Sequence, residues 1–82
     1  MTTLKVLLVD DHEVVRKGLK YVLDDLEDFS LIGEASSAKT AIIMTEELHP
    51  DVVILDIRMP GGSGLDACRA IHEKYPNISI II

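Results

Sequence analysis

An 82-residue chain holds one small domain at most, and 48% hydrophobic with 27% charged residues excludes a disordered tail. A formal net charge of -6 repels phosphate backbones and argues against direct nucleic-acid binding by these residues. One cysteine excludes an internal disulfide and suits a reducing compartment, while one Phe, two Tyr and no Trp leave the core to aliphatic side chains.

From Met1 to Leu8 no long apolar stretch develops before charge arrives at Asp10. Neither a signal peptide nor a membrane span is expected, and the expected placement is cytoplasmic. Leu4 to Val9 is an apolar run ending abruptly at Asp10 and Asp11, as a first strand would. Val15, Leu19, Val22 and Leu26 then recur at steps of four and three, which places them on one helical face. Phe29 to Ala35 reads as a second strand. Ser36 or Ser37 can cap a second helix with the face Ala38, Ala41, Ile42, Thr45 and Leu48, limited by Pro50. Val52 to Leu55 is a third strand, again closed by an acid, Asp56. Met59-Pro60-Gly61-Gly62 is punctuated as a loop, and Ser63 with Asp66 forms a plausible N-cap pair. Leu65, Cys68, Ile71 and Tyr75 give a third helical face, Pro76-Asn77 breaks it, and Ile78 to Ile82 begins a fourth strand.

Strand and helix alternate throughout, which predicts an α/β fold: a parallel sheet with helices on both faces. The runs Val6-Leu7-Leu8-Val9 and Val52-Val53-Ile54-Leu55 are apolar without alternation, as in strands buried on both sides. Such sheets bind ligands beyond the carboxyl ends of their strands. Asp10, Asp11 and Asp56 stand at those ends. If the first and third strands are neighbours, three carboxylates converge and need a cation. Mg2+ fits, because it takes one or two carboxylates, keeps waters and leaves room for a phosphoryl group. A carboxylate beside Mg2+ can attack a phosphoryl donor to give an aspartyl phosphate. Chemistry alone leaves open which acid is the nucleophile.

Lys5-Val6-Leu7-Leu8-Val9-Asp10-Asp11-His12 resembles the opening of response-regulator receiver domains. Asp51-Val52-Val53-Ile54-Leu55-Asp56-Ile57-Arg58-Met59-Pro60, followed by Gly61 and Gly64, resembles their phosphorylation segment. The two motifs lie about forty-five residues apart in the right structural phase. The resemblance implies a flavodoxin-like sheet of order 2-1-3-4 over these residues. It implies that Asp56 accepts a phosphoryl group from a sensor histidine kinase. Asp11, Asp56 and the backbone carbonyl of Arg58 would bind Mg2+ directly, and Asp10 through water. The Arg58 side chain would tune the phosphate lifetime. Asp11-His12-Glu13-Val14-Val15-Arg16-Lys17-Gly18-Leu19 is similar to the NarL/FixJ group, whose members carry a C-terminal DNA-binding domain that regulates transcription.

The resemblance implies that residues 1–82 are the N-terminal portion of one receiver domain, reaching the fourth of its five strands. The hydroxyl residue ending the fourth strand, the lysine ending the fifth, the last two helices and the DNA-binding domain lie outside this pattern. DNA contact is therefore expected only through that output domain. An uncovered apolar edge at Ile78-Ser79-Ile80-Ile81-Ile82 predicts self-association, or completion by another chain. The expected chemistry is a switch, not turnover. A metal-dependent phosphohydrolase is the alternative, but it wants a second acid two residues after the nucleophile, where Arg58 stands. A pseudo-receiver would be expected to lose an acid or the loop, and both are kept. His12, His49 and His72 are scattered without ligand spacing, so surface positions and no zinc site are expected. Cys68 is expected to pack, Met44 to lie in or near the core, and Glu46-Glu47 to be solvated.

Overall fold

Each apolar run becomes a strand and each periodic stretch a helix in the computed structural model, which describes residues 3–59 and 64–82. In chain order these are β1 (Leu4–Val9), α1 (Glu13–Asp24), β2 (Phe29–Ala35), α2 (Ala38–Leu48), β3 (Val52–Leu55), α3 (Gly64–Lys74) and β4 (Ser79–Ile81). Pro60, Gly61 and Gly62 of the expected loop, and the expected cap Ser63, lie outside the described residues. Met59 is described and is 6% exposed.

The four strands form one parallel sheet in the order β2-β1-β3-β4. The unalternating runs of β1 and β3 occupy its centre, because only a strand covered on both faces can hide consecutive apolar side chains. Leu7, Leu8 and Val53 are completely buried. Successive strand residues point to opposite faces. On one face Leu7, Val9, Val53 and Leu55 pack with Ala35, Ala41 and Met59, and with Ala38, Met44 and Cys68. On the other, Val6 and Val52 pack with Leu23 of α1, flanked by Phe29, Leu31 and Ile54. Helices therefore cover both faces, as expected.

The expected faces of α2 and α3 largely meet the core, with Ala38, Ala41, Thr45, Cys68 and Ile71 buried or packed against it, whereas α1 is turned differently. On α1 the buried side chain is Leu23, whereas Val15, Val22 and Leu26 are 45%, 55% and 43% exposed. The stripe they form is real, but Val15 and Leu19 line an open cleft with Leu8 and Ile54 rather than a closed core, and Val22 and Leu26 stay exposed. On α3 the buried positions are Gly64, Ala67 and Ile71, and Leu65 is 44% exposed. Small residues let that helix lie close to its support, which periodicity of bulky residues does not register. On α2, Ala41 and Thr45 are buried and Ile42 is 38% exposed. The Thr45 hydroxyl donates to the Ala41 carbonyl at 2.7 Å, so its burial leaves no orphaned oxygen. Ser37 rather than Ser36 caps α2, its Oγ accepting from the Thr40 N–H at 3.1 Å. After α2 the chain leaves the helix through His49 in the left-handed region (φ 49°), just before Pro50.

Candidate functional site

The register of the two central strands builds the site. Val9 of β1 pairs with Leu55 of β3, so the residues that follow, Asp10 and Asp56, emerge side by side at the carboxyl edge. Both are fixed through the backbone: the Asp10 N–H donates to the Ala35 carbonyl at 3.0 Å and the Asp56 N–H to the Val9 carbonyl at 2.9 Å. The side chains of Asp10, Asp11 and Asp56 are only 10%, 23% and 14% exposed. Ligand atoms from Asp10, Asp11, Asp56 and also His12 all lie within 4.8 Å of one another, a set that can hold a metal ion. The expected convergence of three carboxylates is what the fold produces.

Each carboxylate is held differently. Asp10 Oδ1 accepts from the His12 backbone N–H at 2.8 Å and faces the His12 ring Nδ1 at 2.8 Å. Burial pushes the Asp10 carboxyl up. The bonds from the His12 backbone and ring, with the charges of His12 and Arg16, outweigh that and hold it below its ordinary value. Asp56 Oδ1 accepts from the Arg58 N–H at 2.9 Å, a local turn that places Arg58 beside the site while 88% of its side chain stays exposed. Asp11 Oδ1 is buried and without a hydrogen bond. It lies 2.9 Å from His12 Nδ1, at ion-pair distance but off the direction a hydrogen bond requires. A buried carboxylate oxygen lacking a donor is costly unless a cation satisfies it. Together with Asp10 and Asp56, Asp11 gives a set that fits a hard divalent ion by charge and by oxygen chemistry.

Two contributors were not legible in the sequence as site residues. His12 was expected at the surface without a ligand role. Its side chain is indeed 61% exposed, but the ring reaches Asp10, Asp11 and, at 3.8 Å, Asp56. It occupies the N-cap position of α1 yet makes no side-chain cap, because the ring turns to the acids instead. The hydrogen bond to Asp10 and the charge of Asp11 raise its pKa, joined by Asp10 and Asp56 against a small desolvation cost. Arg16 is the other. One turn into α1, its guanidinium donates to the Asp10 carbonyl while its Nε lies 3.5 Å from Glu34 on β2. It thus ties the backbone of the acid pair to the sheet. The only available signal was Arg16's helical spacing from His12, which brings an i+4 side chain back over the helix start. His49 and His72 stand apart from the cluster, as expected.

A cavity of about 390 Å³ opens beside the acids, lined by Asp10, His12, Asp56 and Arg58 at one end. Leu8, Val15, Leu19, Ile54 and Ile82 line the rest. Polar groups converging at the end of an apolar cleft match the usual form of a small-ligand site.

Comparison with known proteins accounts for this arrangement. The family model for the response regulator receiver domain matches residues 6–82. The transcriptional regulatory protein YdfI of Bacillus subtilis is 45% identical over 78 residues, covering 95% of this chain and 37% of its own length. This chain therefore spans little more than a third of that relative. Among solved structures, a LuxR-family two-component response regulator from Aurantimonas superposes with a TM-score of 0.89 at 32% identity, over 96% of this chain and 56% of that one. The receiver domain of a NarL response regulator from Mycobacterium tuberculosis gives 0.86 at 28% identity, over 98% and 64%. With strand order, acid cluster and family match in agreement, the chain belongs to the response regulator receiver domain family of two-component systems, among relatives of the LuxR and NarL type.

Proposed function

We propose that residues 1–82 form the N-terminal, phosphoacceptor portion of one receiver domain in a transcriptional response regulator, with Asp56 as the acceptor. The carrying observation is the convergence of Asp10, Asp11 and Asp56 at the carboxyl edge of a parallel sheet. The radius of gyration, 11.8 Å, is that of one compact domain, for which this length gives about 12 Å.

The choice of Asp56 rests on its surroundings. Asp10 Oδ1 is engaged twice by His12, and Asp11 is not among the residues lining the cavity. Asp56 lines the cavity, has one oxygen fixed by the Arg58 N–H, and presents the other at the longer distance of 3.8 Å from His12. A fixed carboxylate with one outward oxygen is a positioned nucleophile. That oxygen attacks the phosphorus of a phosphohistidine on a sensor histidine kinase. The P–N bond breaks, its electron pair returns to the imidazole nitrogen, and a proton from solvent neutralises it. Asp11, Asp56 and the Arg58 backbone carbonyl would hold Mg2+, with Asp10 acting through water. Bound there, such an ion would neutralise charge on the transferring oxygens. Arg58 stands where a phosphohydrolase wants its second acid, and its side chain is 88% exposed, which favours a switch over turnover.

The product carries about 1.5–2 added negative charges, if it behaves like other phosphorylated side chains. That charge biases the domain toward a second arrangement of its output surface, and in the full-length protein the output domain binds DNA. We assign the protein to the cytoplasm on the strength of the receiver family it belongs to. Self-association is part of the same reading and rests on the exposed apolar edge.

The test is intact mass spectrometry after incubation with acetyl phosphate and Mg2+, beside Asp56→Asn. One phosphoryl adduct is expected on the parent and none on Asp56→Asn or in EDTA. An adduct that survives in Asp56→Asn would move the acceptor elsewhere. No adduct on the parent or on the full-length protein would end the phosphoacceptor reading.

A further inference from the structure

Arg16 reaches the acid pair without presenting a group that phosphoryl chemistry there would use. We infer that Arg16 is a positioning residue: anchored on Glu34, its guanidinium holds the carbonyl of the Asp10–Asp11 peptide and thereby fixes where the Asp11 carboxylate stands. The inference rests on the reading of Asp10, Asp11 and Asp56 as the Mg2+ site of a phosphoacceptor.

The anchor is built by an irregularity in β2. Val6 pairs with Leu31 and Leu7 with Gly33, so Ile32 is passed over. An extra residue of this kind changes the face that the following side chains meet. Leu31 packs with Val6 and Leu23 on the α1 side, whereas Ala35 packs with Leu7 and Val9 on the other. In an unbroken strand these two positions, four residues apart, would share a face. The shift thus turns Glu34, which pairs with Leu8, toward α1. There its Oε1 lies 3.5 Å from Arg16 Nε.

Arg16 divides its donors between two partners. Nε faces Glu34, and Nη1 donates to the Asp10 carbonyl. The Asp10 N–H donates to the Ala35 carbonyl at 3.0 Å. Glu34 and Ala35, neighbours on β2, therefore hold Asp10 from both sides, one through Arg16 and one directly. The Asp10 carbonyl belongs to the planar peptide that carries the Asp11 nitrogen, so fixing the oxygen orients Asp11. Asp11 depends on this more than its companions do. Asp10 and Asp56 each accept from a backbone N–H, of His12 and Arg58 respectively, whereas Asp11 Oδ1 is buried and has no hydrogen bond. A planar guanidinium suits the task, because its donors are pre-organised and lose little freedom when two of them are engaged.

A purely electrostatic role for Arg16 has the opposite sign. A cation beside three carboxylates opposes a second cation, so removing the charge would by itself tighten Mg2+ binding. Removing a positioning residue weakens it.

The test is an Mg2+ titration of the isotope-labelled 82-residue chain followed by NMR, for the parent, Arg16→Met, Glu34→Gln and the double variant. Before any metal is added, the Asp10 carbonyl carbon and Asp11 amide resonances are expected to move in Arg16→Met. The Mg2+ dissociation constant is expected to rise about tenfold in Arg16→Met, the scale on which groups behind a metal ligand act. Glu34→Gln is expected to raise it by a smaller factor in the parent and to change nothing once Arg16 is gone, because the anchor acts only through the arginine. Binding as tight as the parent's or tighter in Arg16→Met would overturn the inference and leave the Mg2+ site in place. An equal effect of Glu34→Gln in both backgrounds would reduce the anchor to its charge and overturn it too. A parent that binds no Mg2+ would bring down the site reading, and the inference with it. Urea unfolding checks the fold of each variant. Should Arg16→Met not fold, Glu34→Gln decides alone, since Glu34 is exposed and an unchanged dissociation constant there would overturn the inference.

Discussion

At the scale of single residues, the site depends on atoms that are missing as much as on those present. A Cβ added to Gly64 would lie 2.5 Å from Ile57 Cα, 2.8 Å from the Asp56 carbonyl oxygen and 3.0 Å from the Ile57 carbonyl carbon. All three are backbone, so no side chain can rotate away. Gly64→Ala must displace the segment that carries Asp56 or lift the start of α3. It is expected to destabilise by about 1–3 kcal/mol, in the range of overpacked interiors, and to slow labelling of Asp56. Urea unfolding and a phosphorylation time course check both, and a variant matching the parent in each would refute the close approach. Gly18 is the control. Nothing lies within 4 Å of its added Cβ, and it sits inside α1. Gly18→Ala is expected to raise stability by about 0.5–1 kcal/mol through helix propensity and chain entropy. The acids were legible because each ends an apolar run, and a charge there has nowhere to be but the strand's carboxyl end. Gly64 was legible only as a family motif position. A contact between two backbones leaves no trace in side-chain pattern. His12 was missed because its spacing to other histidines was weighed, whereas its partners are the acids immediately before it.

At the scale of elements, periodicity located every helix and strand of the described residues and largely oriented α2 and α3, but it did not orient α1. The expected stripe on α1 contains Val15, Leu19, Val22 and Leu26, while the sheet is met by Leu23, one step round. An amphipathic helix with apolar residues on more than one face carries two readings, and only the tertiary partner chooses. Alanine and glycine on α3 likewise bury without contributing to a stripe of bulky residues. The pairing of α2 with α3 has a polar component as well: Lys74 Nζ donates to Glu46 Oε1 at 2.8 Å. The bond and charge of Lys74 hold the Glu46 carboxyl below its usual 4.5. Glu46 in turn raises the Lys74 ammonium above its usual 10.5. A lowered acid contributes stability that is complete above its unfolded value and is lost as pH falls through the folded one. A raised lysine contributes below 10.5 and loses its part as pH climbs through the higher folded value. The pair therefore acts across the neutral range and fails at both ends. Glu46→Gln is expected to lower the urea midpoint slightly near pH 7 and to match the parent in acid strong enough to protonate the lowered Glu46 carboxyl, where Glu and Gln at this position are alike uncharged. A difference that persists unchanged in acid would show that packing, not the ion pair, couples the two helices.

At the scale of the whole molecule, the two faces of the sheet are unequally served. α2 and α3 together cover the side that carries Leu7, Val9, Val53 and Leu55, whereas α1 alone meets the other. On that second side Val15, Val22 and Leu26 of α1 are 43–55% exposed, and Ile82 is 67% exposed beside the β3–β4 edge. β4 pairs with β3 along one side only, and its three residues include Ile81, 55% exposed. An unpaired strand edge and an apolar face beside it are the combination that natural proteins cover or blunt. The described residues do neither, since no proline or charge interrupts Ser79–Ile82. Association of two 82-residue chains is therefore expected to proceed by edge pairing at β4, because pairing satisfies the free backbone groups and brings the two isoleucines out of water together. Sedimentation velocity should show the weight-average mass rising with concentration. Ile81→Lys should return the chain to a monomer, since a charge on an edge strand opposes addition of a neighbour. Val22→Lys, on the α1 face but away from the edge, should leave association nearly intact. If Val22→Lys dissociated the chain and Ile81→Lys did not, the apolar face of α1 would be the contact and the edge a bystander. A parent that remained monomeric at every concentration would remove self-association from the reading altogether.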